Sequence, residues 1–311
     1  MSEEQYVLLI GAMLLDIKGK PISGLDSDTS NPAVITTARG GTARNVAENL
    51  ARLGIEVRLV STVGEDETGK RLMASTAAAG VNMDYVRVLP RERTGTYMAV
   101  LEVNGKLMVA MDDVGVMRHI TAEYIAEQEG LFAEAGFVVV DGSLSDGALA
   151  QVFTLAHKYG VRVCADPSSA RLAYKLQPYL DKLYLAVPNE VEAVALYDEP
   201  FEGFDPDASL AVARRMVQSG VRIAVVTLSD FGLVYATTDE TGYIPARYSE
   251  MVDSTGTGDA VTAALIFGIL NEMAVLEAVR LGAAAAGLTL QTHDTVVEEL
   301  DLDMLYQHLI V

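Results

Sequence analysis

A seven-residue segment, Asp253-Ser-Thr-Gly-Thr-Gly-Asp259, places two glycines immediately before an apolar run at residues 260–270. Glycines allow successive backbone N–H groups to converge on one point, and the N-terminus of a following helix adds partial positive charge there. Gly256, Thr257 and Gly258 are therefore predicted to form a hole that binds an anion such as a phosphate group.

The acid at the end of this segment, Asp259, would lie in the first helical turn, beside the bound anion. A carboxylate is a poor ligand for phosphate because like charges repel each other. It is well suited to take the proton from a hydroxyl group that attacks phosphorus, as a general base. Alternatively, Asp259 only supplies a negative charge that interacts favourably with the helix dipole. The segment by itself leaves both roles open.

A second glycine pair, Gly40-Gly41, opens another helical pattern, and Asn45 lies one turn into it. Paired glycines permit a ligand to approach the backbone closely, and the Asn45 amide can both donate to and accept from hydroxyl groups. Asp16, which follows the first predicted strand, can accept hydrogen bonds from two vicinal hydroxyls. These residues are predicted to bind a sugar. An ordinary loop-to-helix turn and a solvated loop acid are the alternatives.

Two further groups of polar residues follow predicted strands, where ligands bind in parallel α/β sheets. Asn189 and Glu192 come after the apolar run 183–187, and their spacing puts them on one helix face. Their oxygen atoms suit a hydrated Mg²⁺, although a capped helix start explains them equally well. After the run 223–227, the candidates for nucleotide binding are Thr227, Ser229 and Gly232, together with Asn189.

The composition excludes several classes of partner. The 311 residues include 50% hydrophobic and 21% charged residues, which is an ordinary balance for one large folded domain. The formal net charge of -20 repels nucleic acid and anionic membranes, but a local nest of N–H groups can still bind an anionic substrate. The acidic start of the chain is unlike a signal peptide, so a cytoplasmic location is expected.

Other catalytic signatures are missing from the sequence. Its single cysteine, Cys164, can form neither an internal disulfide nor a thiolate metal cluster. There is no Walker-type Gly-Lys-Ser/Thr loop and no Gly-x-Gly-x-x-Gly after the first strand, which argues against a dehydrogenase of the Rossmann type. The histidines show no metal-binding spacing: His119, His157, His293 and His308.

Alternating strands and helices predict the framework that positions these residues. Apolar runs predict strands at 6–10, 57–60, 137–140, 162–165, 183–187 and 223–227, with antiparallel edge strands at 231–236 and 242–245. Helical patterns occur at 43–54, 68–79, 145–159, 190–196, 208–219, 258–271 and 275–291. This alternation is typical of a mostly parallel α/β sheet flanked by helices.

One region departs from the alternation. Asn104-Gly105 lies between two apolar runs within residues 94–111, and this dipeptide accepts the positive φ of a tight hairpin turn. Together with residues 33–37, the hairpin predicts a small accessory β-sheet, while residues 18–31 are predicted as loop. The prediction is thus a single domain over residues 1–311, with lid segments near 11–39 and 94–115 inserted in the main body.

The glycine pair with Asn45, the Asn189-x-x-Glu192 pair and the segment ending at Asp259 occur in an order that resembles the ribokinase-like (PfkB) family of carbohydrate kinases. The resemblance covers essentially the whole chain. It implies that Asp259 is the catalytic base and that a small β-sheet forms a lid over the sugar. It also implies ATP and Mg²⁺ as cofactors and a homodimer that forms through the lid. Asp253 and Thr255 resemble half of a site for a monovalent cation such as K⁺.

Within this family, shorter segments are similar to pseudouridine kinases: Ser30-Asn31-Pro32, Arg44-Asn45, Met108–Asp113 and Ile120–Tyr124. They imply pseudouridine as the acceptor and pseudouridine 5'-phosphate as the product. Asp112, Asp113 and Thr96 would then contact the uracil edge. Sugar or nucleoside kinases of the ribokinase or adenosine kinase type are the alternative. A catalytically silent binding protein is a second one, although such a protein has no use for a base at Asp259.

Overall fold

The computed structural model describes residues 5–105, 107–199, 203, 205–246 and 252–309. Residues 1–4, the acidic start that was compared with a signal peptide, and Lys106 of the predicted hairpin lie outside the described residues. The described strands are β1 (Tyr6–Ile10), β2 (Leu14–Pro21), β3 (Ala33–Gly40), β4 (Val57–Gly64), β5 (Val86–Leu89), β6 (Thr96–Leu101), β7 (Leu107–Asp113), β8 (Ala135–Asp141), β9 (Arg162–Asp166), β10 (Leu185–Ala186), β11 (Ile223–Thr227), β12 (Gly232–Ala236) and β13 (Thr241–Pro245).

The α-helices separate most of these strands and close the described part of the chain. They are α1 (Thr42–Arg52), α2 (Glu67–Ala78), α3 (Ala122–Glu127), α4 (Glu129–Glu134), α5 (Asp146–Tyr159), α6 (Glu190–Ala195), α7 (Pro206–Gln218), α8 (Thr257–Leu270), α9 (Val275–Thr289) and α10 (Leu302–Gln307). None of these helices combines the length and the apolar character needed to span a bilayer.

The main sheet has nine strands in the order β13-β12-β11-β10-β9-β8-β1-β4-β5. All neighbours from β11 to β5 pair in parallel, and β12 and β13 are added antiparallel at one edge. Successive β1 side chains enter opposite cores: Val7 and Leu9 pack on one face, Leu8 and Ile10 on the other. The predicted α/β sheet with helices on both faces is therefore confirmed.

A separate sheet has four strands in the order β3-β2-β6-β7. The predicted hairpin around Asn104-Gly105 is its β6–β7 pair, and Gly105 has the expected positive φ of 90°. We call this sheet the lid sheet. That it belongs with the main sheet to a single kinase domain over residues 1–311 stays a prediction.

Several elements differ from the sequence-based predictions. Residues 18–21 are not loop, because β2 continues to Pro21 through pairing with β3 and β6, and long-range pairing outweighs the low strand propensity of Lys and Gly. The predicted strand at 183–187 is reduced to Leu185–Ala186. The sequence patterns missed β5, three short helices (α3, α4 and α10) and the 3₁₀ segment Ala173–Lys182.

Candidate active site

The loop before α8 has the geometry of an anion-binding turn. Gly256 has a φ of 85°, and a Cβ at this position would lie 2.1 Å from the carbonyl oxygen of Thr295. Only glycine therefore fits there without strain. Among the described residues no side chain caps the first turn of α8. Its N–H groups consequently stay available for a ligand.

Gly258 differs from Gly256 in its surroundings. A Cβ at Gly258 would meet no atom within 4 Å, so the space beside it is open. This space belongs to a cavity that Thr257 and Gly258 line together with Asp259. A side chain added at Gly258 therefore has room beside this cavity and would not disturb the fold.

The candidate base, Asp259, is held by Asn45 from the facing helix α1. Asn45 Nδ2 donates a hydrogen bond of 2.6 Å to Asp259 Oδ2. Asn45 is only 3% exposed. The two residues come from sequence segments that were predicted separately, one for sugar binding and one for catalysis, and the fold brings them into direct contact.

The surroundings of Asp259 suit a general base. Burial raises the pKa of its carboxyl group to about 6, while the Asn45 hydrogen bond and the charge of Arg44 act in the opposite direction. The neighbouring Asp141 raises this pKa further. A carboxyl group with such a pKa is ionised at neutral pH and is more basic than an ordinary aspartate.

Asp16 lies on β2 in the lid sheet, where its carboxyl group is almost fully buried and faces the same region. Burial raises its pKa to about 7, and Lys18 lowers it while Asp259 raises it. A Cβ on Gly40 would lie 1.9 Å from Asp16 Oδ1, so the glycine allows this carboxylate to pack against β3. Asp16 is therefore not a solvated loop acid. At Gly40 it is the Asp16 side chain, and not a ligand, that lies close to the backbone.

Two cavities meet at Asp259. The first has a volume of about 440 Å³, and its walls include Asp16, Gly41 and Asn45. The second has a volume of about 420 Å³ and contains the residues predicted to bind nucleotide. Both are lined by Thr42, Leu107, Ser168, Asn189, Ser254, Gly256 and Asp259.

The second cavity brings together the residues after β10 and β11. Thr227, Ser229 and Gly232 line it with Asn189 and Glu192, and Asn189 forms a β-bridge with Thr227. Five candidates that were selected from two different strand ends thus line one cavity, as expected at the carboxyl edge of a parallel sheet.

Asn189 and Glu192 also cap α6. Asn189 Oδ1 accepts from the Glu192 N–H, and Glu192 Oε2 accepts from the Asn189 N–H, both at 2.9 Å. Burial raises the pKa of Glu192 to about 7. The described residues contain no cluster of three or more His, Cys, Asp or Glu side chains that would bind a metal ion directly. Two oxygen-bearing side chains suit a metal ion that keeps several of its water molecules.

Asp253 and Thr255, the candidates for a monovalent cation, have other partners. Lys18 Nζ on the lid sheet donates to Asp253 Oδ2 at 2.6 Å, and the Thr255 N–H donates to Asp253 Oδ1 at 2.9 Å. Lys18 is 4% exposed. Because Lys18 already neutralises the Asp253 carboxylate, this carboxylate is a poor ligand for a further cation.

The sequence patterns missed two acids at strand ends. Asp166 ends β9 beside the second cavity and accepts from the Ser168 N–H at 2.7 Å. Burial, then Glu192 and Asp259, raise its pKa well above the usual range. Asp141 ends β8 and accepts from the Ala12 N–H at 2.7 Å, which ties β8 to the segment after β1. The strand-end rule that selected Asn189 would have found both acids.

The lid supplies one of the three side chains predicted to contact a uracil edge. Tyr97 and Asp112 are cross-strand neighbours and line the first cavity. Thr96 and Asp113 also pair across the strands, but one position along, so they lie on the opposite face of the sheet.

Comparisons with known proteins agree with this arrangement. The model of the pfkB family carbohydrate kinases matches residues 4–300. The chain is 31% identical over 303 residues to the pseudouridine kinase of Escherichia coli (strain K12), covering 97% of this chain and 96% of that protein. It is 29% identical over 302 residues to the guanosine-inosine kinase of Exiguobacterium acetylicum, covering 94% and 97%.

The solved structure of Arabidopsis thaliana ribokinase complexed with ribose and ATP superimposes with a TM-score of 0.82 over 99% of both chains, at 24% identity. This likeness confirms the ribokinase-like fold. The protein is a phosphotransferase whose acceptor is an alcohol group. The chain belongs to the pfkB family of carbohydrate kinases, as the resemblance of its motifs predicted.

Proposed function

We propose that this chain transfers the terminal phosphoryl group of ATP to a primary hydroxyl of a sugar or nucleoside. The observation that carries the proposal is the position of Asp259 at the junction of the two cavities. One cavity then holds the acceptor and the other the nucleotide. The acceptor oxygen attacks phosphorus, its proton passes to Asp259, and the bond to the departing ADP oxygen breaks.

The acceptor is proposed to bind on the side of Asp16, Gly40, Gly41 and Asn45. Asp16 borders the first cavity with a carboxylate that can accept from vicinal hydroxyls, and Asn45 borders it with an amide whose second N–H can donate to a hydroxyl. A sugar that lacks these hydroxyls would leave buried polar groups without partners, which is costly. The site is therefore expected to select a ribosyl group.

The nucleotide is proposed to bind on the side of Asn189, Thr227, Ser229 and Gly232. Its phosphates would then reach Gly256, Thr257 and Gly258 at the start of α8. Mg²⁺ bound to the phosphates would neutralise part of their charge. Glu192 and Asn189 would hold this ion through its water molecules. The proposal includes no monovalent cation, because Lys18 already neutralises the charge of Asp253.

For the acceptor itself we propose pseudouridine. The support is the similarity to the Escherichia coli pseudouridine kinase and a first cavity of about 440 Å³, which has room for a nucleoside. Asp112 on the lid can accept from an N–H of the base. Ribose and purine nucleosides are the alternatives, given the relatives named ribokinase and guanosine-inosine kinase.

A side-by-side assay tests both levels of the proposal. The chain, with ATP and Mg²⁺, is offered pseudouridine, uridine, adenosine, ribose and fructose, and ADP release and product mass are measured. We expect the highest kcat/KM with pseudouridine. A clear preference for ribose or adenosine would refute the substrate and leave the kinase activity standing. The proposed function would be refuted if the wild-type rate of phosphoryl transfer were no higher than that of the Asp259→Asn variant for each of the five acceptors.

We further propose that a second copy of the chain covers the outer face of the lid sheet. On this face Ile35, Met98, Val109 and Met111 are 64%, 40%, 51% and 60% exposed, and the strand register makes them neighbours. Such a contiguous apolar patch usually marks an interface. Sedimentation should give a dimer that Met111→Lys dissociates. A matched control is Ile22→Lys, because Ile22 is 68% exposed but follows the end of β2.

The cellular location and the exclusion of nucleic acid are proposed from the availability of ATP and from the net charge. We propose a cytoplasmic location, where ATP is available. No nucleic acid partner is proposed, because a net charge of -20 repels phosphate backbones.

A further inference from the structure

We propose that Arg44, which borders neither cavity, is a positioning residue for the base: it fixes the orientation of the Asn45 amide and, through it, the Asp259 carboxylate. This inference rests on the proposed role of Asp259 as general base. Arg44 lies on α1 and is completely buried. Burying a guanidinium is costly unless it is paired, so its presence in this interior calls for a reason.

The first part of the argument is the contact between Arg44 and Asn45. Arg44 Nε and Nη2 both donate to Asn45 Oδ1, at 3.1 and 2.6 Å. Two N–H donors at one end of an amide select its oxygen for that end. The NH₂ group is then directed to the other side, where it donates to Asp259 Oδ2. With the amide flipped, N–H would face N–H and oxygen would face carboxylate, so both contacts would be repulsive.

The second part is the anchoring of Arg44. Its Nη1 lies 2.9 Å from Glu48 Oε2, one turn further along α1, and both side chains are completely buried. This is an ion-pair contact without hydrogen-bond alignment. Glu48 Oε1 also contacts Arg52 Nη2 at 2.6 Å and Arg39 Nη1 at 3.6 Å. The guanidinium is therefore held on one side by Glu48 while its other edge holds the amide.

A neutral amide between the arginine and the base has a chemical advantage. A direct ion pair with arginine typically lowers the pKa of an aspartate by about 1–3 units, which would make it a weaker base. Through Asn45, Arg44 orients the carboxylate without direct contact, and its charge lowers the pKa of Asp259 less than a direct ion pair would. Orientation matters because a shift of about 1 Å in a catalytic group can reduce the rate about a hundredfold.

The charges around Asp259 make Arg44 important for its titration. Acids face it from four other elements: Asp16 on β2, Asp141 at the end of β8, Asp166 at the end of β9 and Glu192 on α6. Each disfavours a further negative charge, and Arg44 opposes them. Wild-type turnover should therefore fall as the pH drops through about 6, where Asp259 takes up a proton. Loss of Arg44 raises that pKa, so the acid limb should move to higher pH.

The experiment compares Arg44→Met with the double variant Arg44→Met/Glu48→Gln. The single variant leaves the buried Glu48 Oε2 without its contact to Arg44, while Arg52 still pairs with Oε1, and it should lose thermal stability. The double variant removes both buried charges and should regain most of the melting temperature. It should keep a turnover about ten- to a hundredfold below wild type at pH 6.5. Its acid limb should lie at higher pH than that of the wild type.

A matched control is Arg52→Met, because Arg52 contacts Glu48 but not Asn45. It should lose stability and keep the wild-type pH profile. Arg44→Lys, which retains the charge but not the two-donor edge, should keep the acid limb and lose turnover. The inference is overturned if the double variant regains wild-type turnover and pH profile together with its stability. It is likewise overturned if Arg44→Lys is fully active. A failure of the proposed function shows separately, as a wild-type protein that transfers phosphate to none of the five acceptors, and full activity of Asp259→Asn would show that the base lies elsewhere.

Discussion

The body and the lid contribute to the same first cavity with different kinds of surface. In the body, Asn45 is 3% exposed and bonded to Asp259 at 2.6 Å, so the reacting end is enclosed and rigidly paired. In the lid sheet, Met98 and Met111 remain 40% and 60% exposed on the outer face, while Tyr97 and Asp112 line the cavity from the inner face. Under the proposed function, the body would carry out phosphoryl transfer, and the lid would carry substrate choice and assembly.

Ion pairs join the two parts, among them Lys18–Asp253, which connects β2 of the lid sheet with the start of the anion loop. A substitution in the body should therefore reduce turnover for every acceptor. A substitution on the inner face of the lid should instead change the ranking of acceptors. Five substitutions test this division.

The largest effect is expected from Asp259→Asn. An asparagine keeps the size of the side chain but cannot take the proton, so kcat should fall by about two to four orders of magnitude. The affinity for the acceptor should change little, because Asp16 and Asn45 remain. Steady-state kinetics at saturating ATP measure the loss, and thermal unfolding checks the fold. A variant that retains most of its turnover would show that the base lies elsewhere.

Gly258→Val should reduce kcat/KM for ATP by about a hundredfold, because the new side chain would keep the phosphates away from the N–H groups, and one such contact is typically worth that much. The new side chain occupies the open space of the second cavity, so the protein should still fold. The control is Gly130→Val, because a Cβ at this exposed helical position also meets nothing within 4 Å. Equal kinetics for the two variants would argue against an anion hole before α8.

Asp112→Ala tests the role of the lid. Loss of a charged hydrogen-bond partner should lower kcat/KM for pseudouridine about ten- to a hundredfold and leave kcat/KM for ribose nearly unchanged. Asp113→Ala is the control, because this neighbour lies on the opposite face of the sheet. If Asp112→Ala reduced both acceptors equally, the lid would take part in transfer itself, and the division between lid and body would fail.

The joint between the two parts is tested by Lys18→Met. Wild-type turnover should change less than about twofold when Na⁺ replaces K⁺, because Lys18 already neutralises Asp253. The variant leaves Asp253 without this cation, so its lower turnover should be partly restored by K⁺. Rates over a K⁺ titration, at constant ionic strength, measure both. A strong K⁺ requirement in the wild type would show that Asp253 binds a cation despite Lys18.

The smallest effect is expected from Glu192→Gln. If Glu192 holds Mg²⁺ through water, the Mg²⁺ concentration for half-maximal rate should rise several-fold, since a carboxylate attracts the hydrated ion more strongly than an amide does. The capping bonds of α6 can be kept by the glutamine oxygen, so the melting temperature should stay close to that of the wild type. An unchanged Mg²⁺ titration would leave Glu192 as a helix-capping residue only.

The amino-acid sequence by itself determined those features that depend on neighbours along the chain. The parallel strands, the Asn104-Gly105 hairpin and the glycine segment before α8 follow from local periodicity and from turn residues with special φ values. The family followed from motifs whose order needs no structure. The strand-end rule also selected Asn189 and Glu192, because the carboxyl edge of a parallel sheet is common to all its strands.

Only the tertiary structure decided which of these residues touch. Asn45 and Asp259 are 214 positions apart, and Lys18 and Asp253 are 235 apart. Such contacts depend on how α1 packs against α8 and how the lid sheet meets the anion loop, and no local pattern encodes either. Burial is decided in the same way. Arginine is usually a surface residue, so the sequence gives no sign that Arg44 is buried, and the packing of α1 places it in the interior. A buried charge must find a partner, which is why the network around Asp259 appears only in three dimensions.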